Sequence, residues 1–290
     1  MPLSDEVRST CREIADGARH VRIDLERLSE LDPGEPPLLD PERHYLEGTP
    51  GEVAHFMLVL DSINFGSGWF PTLRKRPGMS GYFTVASSLT DFWRSSGGWS
   101  VEELRALTPG DLATVLGQEP RHELMALYAE ALRDLARFLG ARRALDLVEE
   151  AGGSAERLAA MLAAGMPFYD DTGFWKRAQI VPNDLALAGV ASFDDLDRLT
   201  IFADNLVPHV LRVDGVLRYE PALAARIDAG ELLPRGEEER EIRACAVHAC
   251  ELLSSRLEMP ARLIDVALWS RGQAPEYKAV PRHRTRTVFY

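Results

Sequence analysis

Asp204 is the carboxylate best placed in this sequence for acid–base chemistry. It directly follows the mostly apolar run Leu199–Ala203, so its side chain is expected to lie partly out of water. Partial desolvation suits a carboxylate to general-base work and strengthens its effect on a nearby positive charge. The residues alone leave a second interpretation open, in which Asp204 ends a helix or is buried and paired without a catalytic role.

A second cluster of polar and aromatic residues comprises Asp61, Asn64, Phe65 and Trp69. The first three stand at positions i, i+3 and i+4 and therefore share one helix face. Polar groups beside aromatics and glycine turns are typical of a pocket that binds a planar base. The same residues are equally consistent with a capping network at the helix end, and the pattern does not decide between the two.

Lys176 stands out because lysine is rare in this chain. The sequence has 33 lysines and arginines, yet lysine occurs only at positions 75, 176 and 278. A lysine kept among so many arginines suggests a phosphate or an acidic group as its partner. The alternative is an ordinary exposed lysine on a helix surface.

No group of residues has the spacing of a metal site. The acidic segment Asp194–Asp197 lacks the alternation and the glycine of a calcium loop, and acidic residues are favoured in a helix's first turn in any case. Cys245 and His248 share a helix face while Cys250 points elsewhere, which is typical of small buried residues in a core helix. We therefore expect no metal and full activity without one.

Charge and missing motifs exclude several functional classes. The net charge is −12 and no long basic run is present, which argues against binding to a nucleic acid polymer. No apolar stretch approaches the length of a membrane span, and the N-terminus is unlike a signal peptide, so we expect a cytoplasmic protein without a membrane partner. Phosphate-binding glycine loops, the G-x-S-x-G elbow and H-E-x-x-H are absent, which argues against a nucleotide-driven motor, a dehydrogenase, an esterase and a zincin.

Helical periodicity dominates the elements that must position these side chains. The pattern predicts one compact unit over residues 1–290, of all-α class with at most a small β element. Val210–Tyr219 contains Asp-Gly and reads as a β-hairpin, with a helix–hairpin–helix loop as the alternative. The last ten residues end in three large apolar side chains, so we expect the tail to dock on the body. The predicted helices cover Val7–Leu25, a helix starting at Thr49-Pro50, starts at Ser100 and Thr108, Arg121–Phe138, Ser154–Ala164, Ser192–Pro208, Pro221–Asp228, Glu237–Leu257 and Arg262–Trp269.

Several segments together resemble the queuosine salvage protein family, the queuosine 5′-phosphate N-glycosylase/hydrolases. None of them is a short generic pattern, they follow the family's order, and they span most of the chain. The matching segments are Leu60–Phe65, Phe174–Ile180, Phe193–Asp204, Val207-Pro208, Glu241–Ala244, Leu263–Asp265 and Pro281–Tyr290.

The resemblance implies an N-glycosyl hydrolase that cleaves the small nucleotide queuosine 5′-phosphate and releases queuine for tRNA-modification salvage. It implies a helical fold similar to helix–hairpin–helix DNA glycosylases, and no metal or organic cofactor. By the same resemblance Asp204 matches the catalytic aspartate, Phe202 its aromatic neighbour and His44 a ligand-binding histidine. The sequence departs from the family pattern at Asn205, Leu206 and His209, where the family usually has an aromatic residue, a basic residue and a glutamine.

Cleavage of an N-glycosidic bond builds positive charge on the sugar, which a carboxylate at Asp204 can stabilise while it takes a proton from water. Asp61, Asn64 or Asp265 are candidates to hydrogen-bond the leaving base. Aromatic rings such as Phe65 or Trp69 can stack on the base, and Lys176 or an arginine can hold the phosphate. Two alternatives remain: a helical base-excision glycosylase that acts on nucleic acid, and a non-catalytic protein that binds the modified nucleotide.

Overall fold

The computed structural model describes residues 1–290, and helices carry most of the chain. The α-helices are α1 (Leu3–Gly17), α2 (Leu25–Glu30), α3 (Pro50–Ser62), α4 (Gly81–Ser96), α5 (Val101–Ala106), α6 (Pro109–Leu116), α7 (Glu123–Leu139), α8 (Ala144–Ala151), α9 (Ala155–Gly165), α10 (Lys176–Leu187), α11 (Val207–Val213), α12 (Pro221–Asp228), α13 (Glu237–Leu257), α14 (Ala261–Arg271) and α15 (Pro275–Lys278). Short 3₁₀ turns lie at Phe70–Thr72, Pro167–Tyr169 and Leu196–Arg198.

The β-structure is limited to one small sheet. Strand β1 (Val21–Ile23) pairs antiparallel with β2 (Leu217–Tyr219), with Val21 opposite Tyr219. The predicted class, mainly helical with at most a small β element, is therefore confirmed. The expected similarity to helix–hairpin–helix DNA glycosylases stays a prediction.

Several helices begin at the capping residues that the sequence predicted. At α3, the Thr49 hydroxyl accepts from the Glu52 backbone N–H, and the Glu52 carboxylate accepts from the Thr49 N–H at 2.8 Å. The same reciprocal pair begins α5 at Ser100 and α6 at Thr108. These motifs need only neighbours in sequence, which is why they were readable from it.

The helix predicted from Ser192 to Pro208 is wrong. A short 3₁₀ turn is followed by non-helical chain, and the next helix, α11, begins only at Val207. Asp195 does not cap its own segment; it accepts from the Ser154 hydroxyl at 2.6 Å and the Ala155 N–H at 2.5 Å, and so caps α9. Asp204 consequently lies at a bend in a non-helical segment just before α11.

Two further boundaries differ from the sequence prediction. The hairpin over Val210–Tyr219 is wrong, because Pro208 stands in the first turn of α11 and only Leu217–Tyr219 is a strand. That strand pairs with β1, which lies near the N-terminus. The first helix ends at Gly17 rather than near Leu25, since the following segment forms β1.

One apolar cluster of 69 buried residues runs from Leu3 to Tyr277. A small separate cluster of Ala155, Ile180, Leu199 and Phe202 lies under the segment that carries Asp204. The C-terminal tail docks on the body as predicted, with the Tyr290 carbonyl accepting from the Gly66 N–H at 2.9 Å. No helix is long and apolar enough to cross a membrane.

Candidate active site

A cavity of about 370 Å³ lies where α3, α4, α10, α14, the segment before α11 and the C-terminal tail meet. Aliphatic and aromatic side chains form much of its wall, and a few polar groups converge on it, as in pockets that bind small organic ligands. Seven of the predicted site residues line it: His44, Asn64, Phe65, Lys176, Phe202, Asp204 and Asp265.

Asp204 is half-buried at the wall of this cavity. Its Oδ1 accepts from the backbone N–H groups of Leu206 at 2.6 Å and Val207 at 3.2 Å, at the start of α11. The carboxylate forms no ion pair, and its Oδ2 has no hydrogen-bond partner within the protein. One oxygen therefore fixes the side chain while the other is available to a ligand.

The segment around Asp204 is fixed by three contacts from distant parts of the chain. The Phe202 N–H donates to Asp265 at 2.8 Å, and the Ala203 carbonyl accepts from Arg243 Nε at 2.9 Å. Asn205 Nδ2 donates to the carbonyl of His283 in the tail at 3.1 Å. A non-helical segment lacks helical hydrogen bonds of its own, so these contacts determine where Asp204 lies.

Lys176 begins α10 and is buried, which overturns the alternative of an exposed helix lysine. Its Nζ donates to the Asn64 carbonyl at 3.1 Å and lies 3.5 Å from Asn64 Oδ1. Burial lowers the pKa of Lys176, while the charge of Asp204, followed by those of Asp265 and Asp61, opposes that shift. The ammonium thus lies among carboxylates.

Three carboxyl groups surround Lys176 and are called here the carboxyl cluster: Asp61 and Asp265, which are buried, and Asp184, which is half-buried. Burial raises the pKa of Asp184 to about 6. Burial also raises the pKa of Asp265 and of Asp61, with further increases from Asp204 and Asp184 respectively. Carboxyl groups with raised pKa values can donate a proton or a hydrogen bond near neutral pH.

An aromatic wall closes another side of the cavity. Trp269 meets the rings of Tyr82 and Phe83 edge-on, each with centroids 5.4 Å apart. His44 lies 3.1 Å from the Tyr82 hydroxyl through Nε2 and 3.0 Å from the Asp40 carbonyl through Nδ1. Burial lowers the pKa of His44, which favours a neutral ring that orients Tyr82.

Two predicted site residues, Asp61 and Trp69, do not line the cavity. Asp61 is fully buried, and neither of its carboxyl oxygens has a hydrogen-bond partner within the protein. Trp69 turns away, because its indole Nε1 donates to Glu123 at 2.6 Å. The expected base stacking by Trp69 therefore has no support in this geometry.

The sequence analysis did not select Asp184, Tyr82, Trp269 or Arg282, although all four line the cavity. A usable signal existed for Asp184. Lys176, Ile180 and Asp184 follow one another at four-residue steps and so share a face of α10. Arg282 carried no such signal, because its position depends on the docking of the tail.

A possible cation-binding group lies elsewhere, where ligand atoms of His20, Glu237 and Glu241 come together. None of these residues lines the cavity. Glu241 already accepts from the backbone N–H groups of Arg19, His20 and Val21, which accounts for its carboxylate. The group is therefore explained by the hydrogen bonds through which Glu241 holds the start of β1.

Comparisons with known proteins agree with one another. Residues 44–290 match the sequence model of a family described as queuosine salvage protein. A queuosine 5′-phosphate N-glycosylase/hydrolase from Sphaerobacter thermophilus is 33% identical, over 98% of this chain and 97% of its own length. Proteins with the same name from Nematostella vectensis and Mus musculus are 28% and 32% identical, over 87% and 66% of this chain and 85% and 64% of their own lengths.

Proposed function

The chain belongs to the queuosine salvage protein family, and from this membership we propose that it hydrolyses the N-glycosidic bond of queuosine 5′-phosphate. Water replaces the base at the anomeric carbon, so the products are queuine and the sugar phosphate. The observation that carries this function is the cavity-lining carboxylate of Asp204, which has one fixed oxygen and one free oxygen.

Asp204 is proposed to act on the sugar. As the bond from the anomeric carbon to the base nitrogen breaks, its electron pair leaves with the base and positive charge develops on the sugar. A carboxylate in a partly dry cavity stabilises that charge, and it can accept the proton of the water that attacks the anomeric carbon. Asp204 needs no reorganisation for this, since Leu206 and Val207 already fix it.

The leaving base is proposed to lie between the aromatic wall and the carboxyl cluster. A 7-deazaguanine has no N7 to protonate, so donors to its other edge atoms must stabilise it as it leaves. Asp265 and Asp184 both line the cavity with raised pKa values, and a protonated carboxyl group is such a donor. Phe65 and Phe202 contribute ring surface next to Asn64 and Asp204.

Two alternative functions are less well supported. A base-excision glycosylase that acts on a polymer needs a basic groove to receive the strand, whereas this chain carries a net charge of −12. A non-catalytic binding protein would tolerate an Asp204 that is fully buried and ion-paired, whereas here it is half-buried and unpaired. We propose a cytoplasmic enzyme that acts on a small nucleotide, without a nucleic acid or membrane partner and without a metal or organic cofactor.

The test is direct. The purified protein is incubated with queuosine 5′-phosphate, with queuosine and with an oligonucleotide that contains queuosine, and free queuine is measured by mass spectrometry with and without a chelator. We expect queuine from the nucleotide, with the same yield in the chelator. Release from the oligonucleotide alone would favour the polymer-acting alternative, and binding without any release would favour the non-catalytic one.

A further inference from the structure

Two short basic segments of the sequence each leave one cation without a hydrogen-bond or ion-pair partner, and the second segment reaches the cavity. In the first, Arg74 pairs with Glu119 and Arg76 pairs with Asp91, but Lys75 between them forms no ion pair or hydrogen bond. The ion pairs of Arg74 and Arg76, on either side of Lys75, are of the kind common on protein surfaces. The unpaired lysine between them is the exception.

The second segment is the C-terminal tail, and it repeats this arrangement. Arg284 donates to the Gly230 carbonyl at 2.6 Å, and Arg286 lies 3.4 Å from Glu123. Arg282, by contrast, is half-buried, lines the cavity and has no hydrogen-bond or ion-pair partner. A partly desolvated guanidinium without an acceptor is costly unless a ligand supplies one.

Lys75 is exposed, and the charge of Arg282 acts on it. Partial burial lowers the pKa of Lys75, and the positive charges of Arg282 and Lys278 lower it further. Lys278 also forms no ion pair through its side chain. The charges of two of the chain's three lysines and of one arginine therefore act together here. Positive charges that have no hydrogen-bonded or ion-paired counter-charge, in a chain of net charge −12, indicate a place for an anion.

Arg282 differs from the other cations of the cavity. Arg43 is paired with Asp40 at 3.1 Å, and Lys176 donates to Asn64 within the carboxyl cluster. Only Arg282 therefore has its donors free. It also lies near Asp204, whose charge partly offsets the lowering of the pKa of Arg282 by burial.

We propose that Arg282 binds the 5′-phosphate of the substrate, with longer-range positive charge from the exposed lysines Lys75 and Lys278, which do not line the cavity. This assignment rests on the proposed function and deepens it, since it makes these residues the source of preference for a nucleotide over a nucleoside. A guanidinium can hold a phosphate through two parallel N–H···O bonds. The proximity of Arg282 to Asp204 fits a ligand whose phosphate and anomeric carbon are separated by one ribose.

The experiment compares Arg282→Ala with Arg284→Ala, a matched variant on the same tail whose arginine is bound to Gly230 and does not line the cavity. Steady-state kinetics are measured with queuosine 5′-phosphate and with queuosine, and inorganic phosphate is titrated as an inhibitor and, by calorimetry, as a ligand. Arg282→Ala should raise KM for the nucleotide roughly tenfold to hundredfold. It should change the nucleoside's kcat/KM far less and abolish phosphate binding, whereas Arg284→Ala should do neither.

Arg282→Lys should restore part of the nucleotide preference, because it keeps the charge but loses the two-pronged geometry. Lys75→Ala and Lys278→Ala should each raise the nucleotide's KM by roughly two- to fivefold and reduce its dependence on salt. An equal loss on nucleotide and nucleoside in Arg282→Ala, with phosphate still bound, would overturn the phosphate site but leave the proposed function intact. Binding of phosphate that requires Arg282, in a protein that releases no queuine from either substrate, would support the site and overturn the proposed function.

Discussion

Two polar clusters fix the segment that carries Asp204, and they differ in how completely their charges are paired. On the cavity side, the carboxyl cluster places Asp61, Asp184 and Asp265 around Lys176. Asp265 reaches the segment through the Phe202 N–H. Burial raises the pKa values of these carboxyl groups, and neighbouring carboxylates raise those of Asp61 and Asp265 further.

The other cluster, called here the Arg243 cluster, is fully paired. Arg243 donates to Ala203 at 2.9 Å and to Asp171 at 3.1 Å, and it lies 3.4 Å from Glu239. Burial alone would lower the pKa of Arg243, but the charges of Asp171 and Glu239 outweigh it and raise the pKa. The comparison teaches that one side of the segment is built for rigidity, while the other holds groups able to exchange protons.

The largest expected effect is that of Arg243→Ala on stability. The change leaves the buried carboxylate of Asp171 without its partner, so the free energy of unfolding should fall by about 3–5 kcal/mol in urea titrations. Arg240→Ala is the matched control, because both guanidinium groups lie over the Phe174 ring, at 3.9 Å for Arg243 and 5.6 Å for Arg240, but Arg240 forms no ion pair. Equal, small losses in both variants would contradict the structural role given to the Arg243 cluster.

Asp184→Asn should increase the free energy of unfolding, because it replaces a carboxyl group whose ionisation is disfavoured by burial. The folded pKa of about 6 lies above the ordinary aspartate pKa of 3.8. Such a group contributes stability below its unfolded pKa, and this contribution is lost as pH rises through the folded pKa. At pH 8 the variant should therefore be more stable than wild type by about 2–3 kcal/mol.

The advantage of Asp184→Asn should fade as the pH falls from about 7 to about 4, since the wild-type carboxyl group then becomes neutral. Urea titrations across this range measure it. A constant difference between the two proteins at every pH would show that Asp184 does not titrate in the folded state as this account requires.

Lys176→Ala should lower kcat/KM about tenfold or more on both queuosine 5′-phosphate and queuosine. Its ammonium serves the carboxyl cluster and the Asp204 segment, so the loss should not depend on the phosphate. Lys176→Met separates charge from packing, because it keeps an apolar stem of similar length. A loss confined to the nucleotide would instead indicate that Lys176 acts on the phosphate of the substrate. Unchanged kinetics on both substrates would show that Lys176 has no role in the site.

The smallest expected effect is that of Trp69→Phe. The change deletes the N–H that donates to Glu123 but alters no residue of the cavity wall, so stability should fall by about 1 kcal/mol. Turnover should stay within roughly twofold of wild type. A tenfold loss of kcat/KM in a stable variant would restore Trp69 as a base-binding residue.

The parts of the fold that depend on neighbouring residues were predictable. The capping boxes at Thr49, Ser100 and Thr108 fixed helix starts, and the bounds of α12 and α13 agreed with the pattern. The parts of the fold that depend on residues distant in sequence were not predictable. Asp195 caps a helix 40 residues earlier, so its segment looked like the start of a helix of its own.

The site shows the same division. Asp204 and Lys176 were singled out from residue type, rarity and order along the chain, and both line the cavity. Trp69 was chosen because it stands close to Asn64 in sequence, but its indole is bound to Glu123. Arg282 was missed because nothing local indicates that the tail returns to a cavity formed by helices far away in sequence.

The most direct test of the central claim is the turnover of Asp204→Asn on queuosine 5′-phosphate. The amide oxygen of asparagine can still accept from Leu206 and Val207, so the variant should fold and bind the substrate nearly as well as wild type. Without the charge, kcat for queuine release should fall by roughly a hundredfold or more. Hydrolysis within a few-fold of wild type would contradict the account and make Asp265 or Asp61 the next carboxyl group to test.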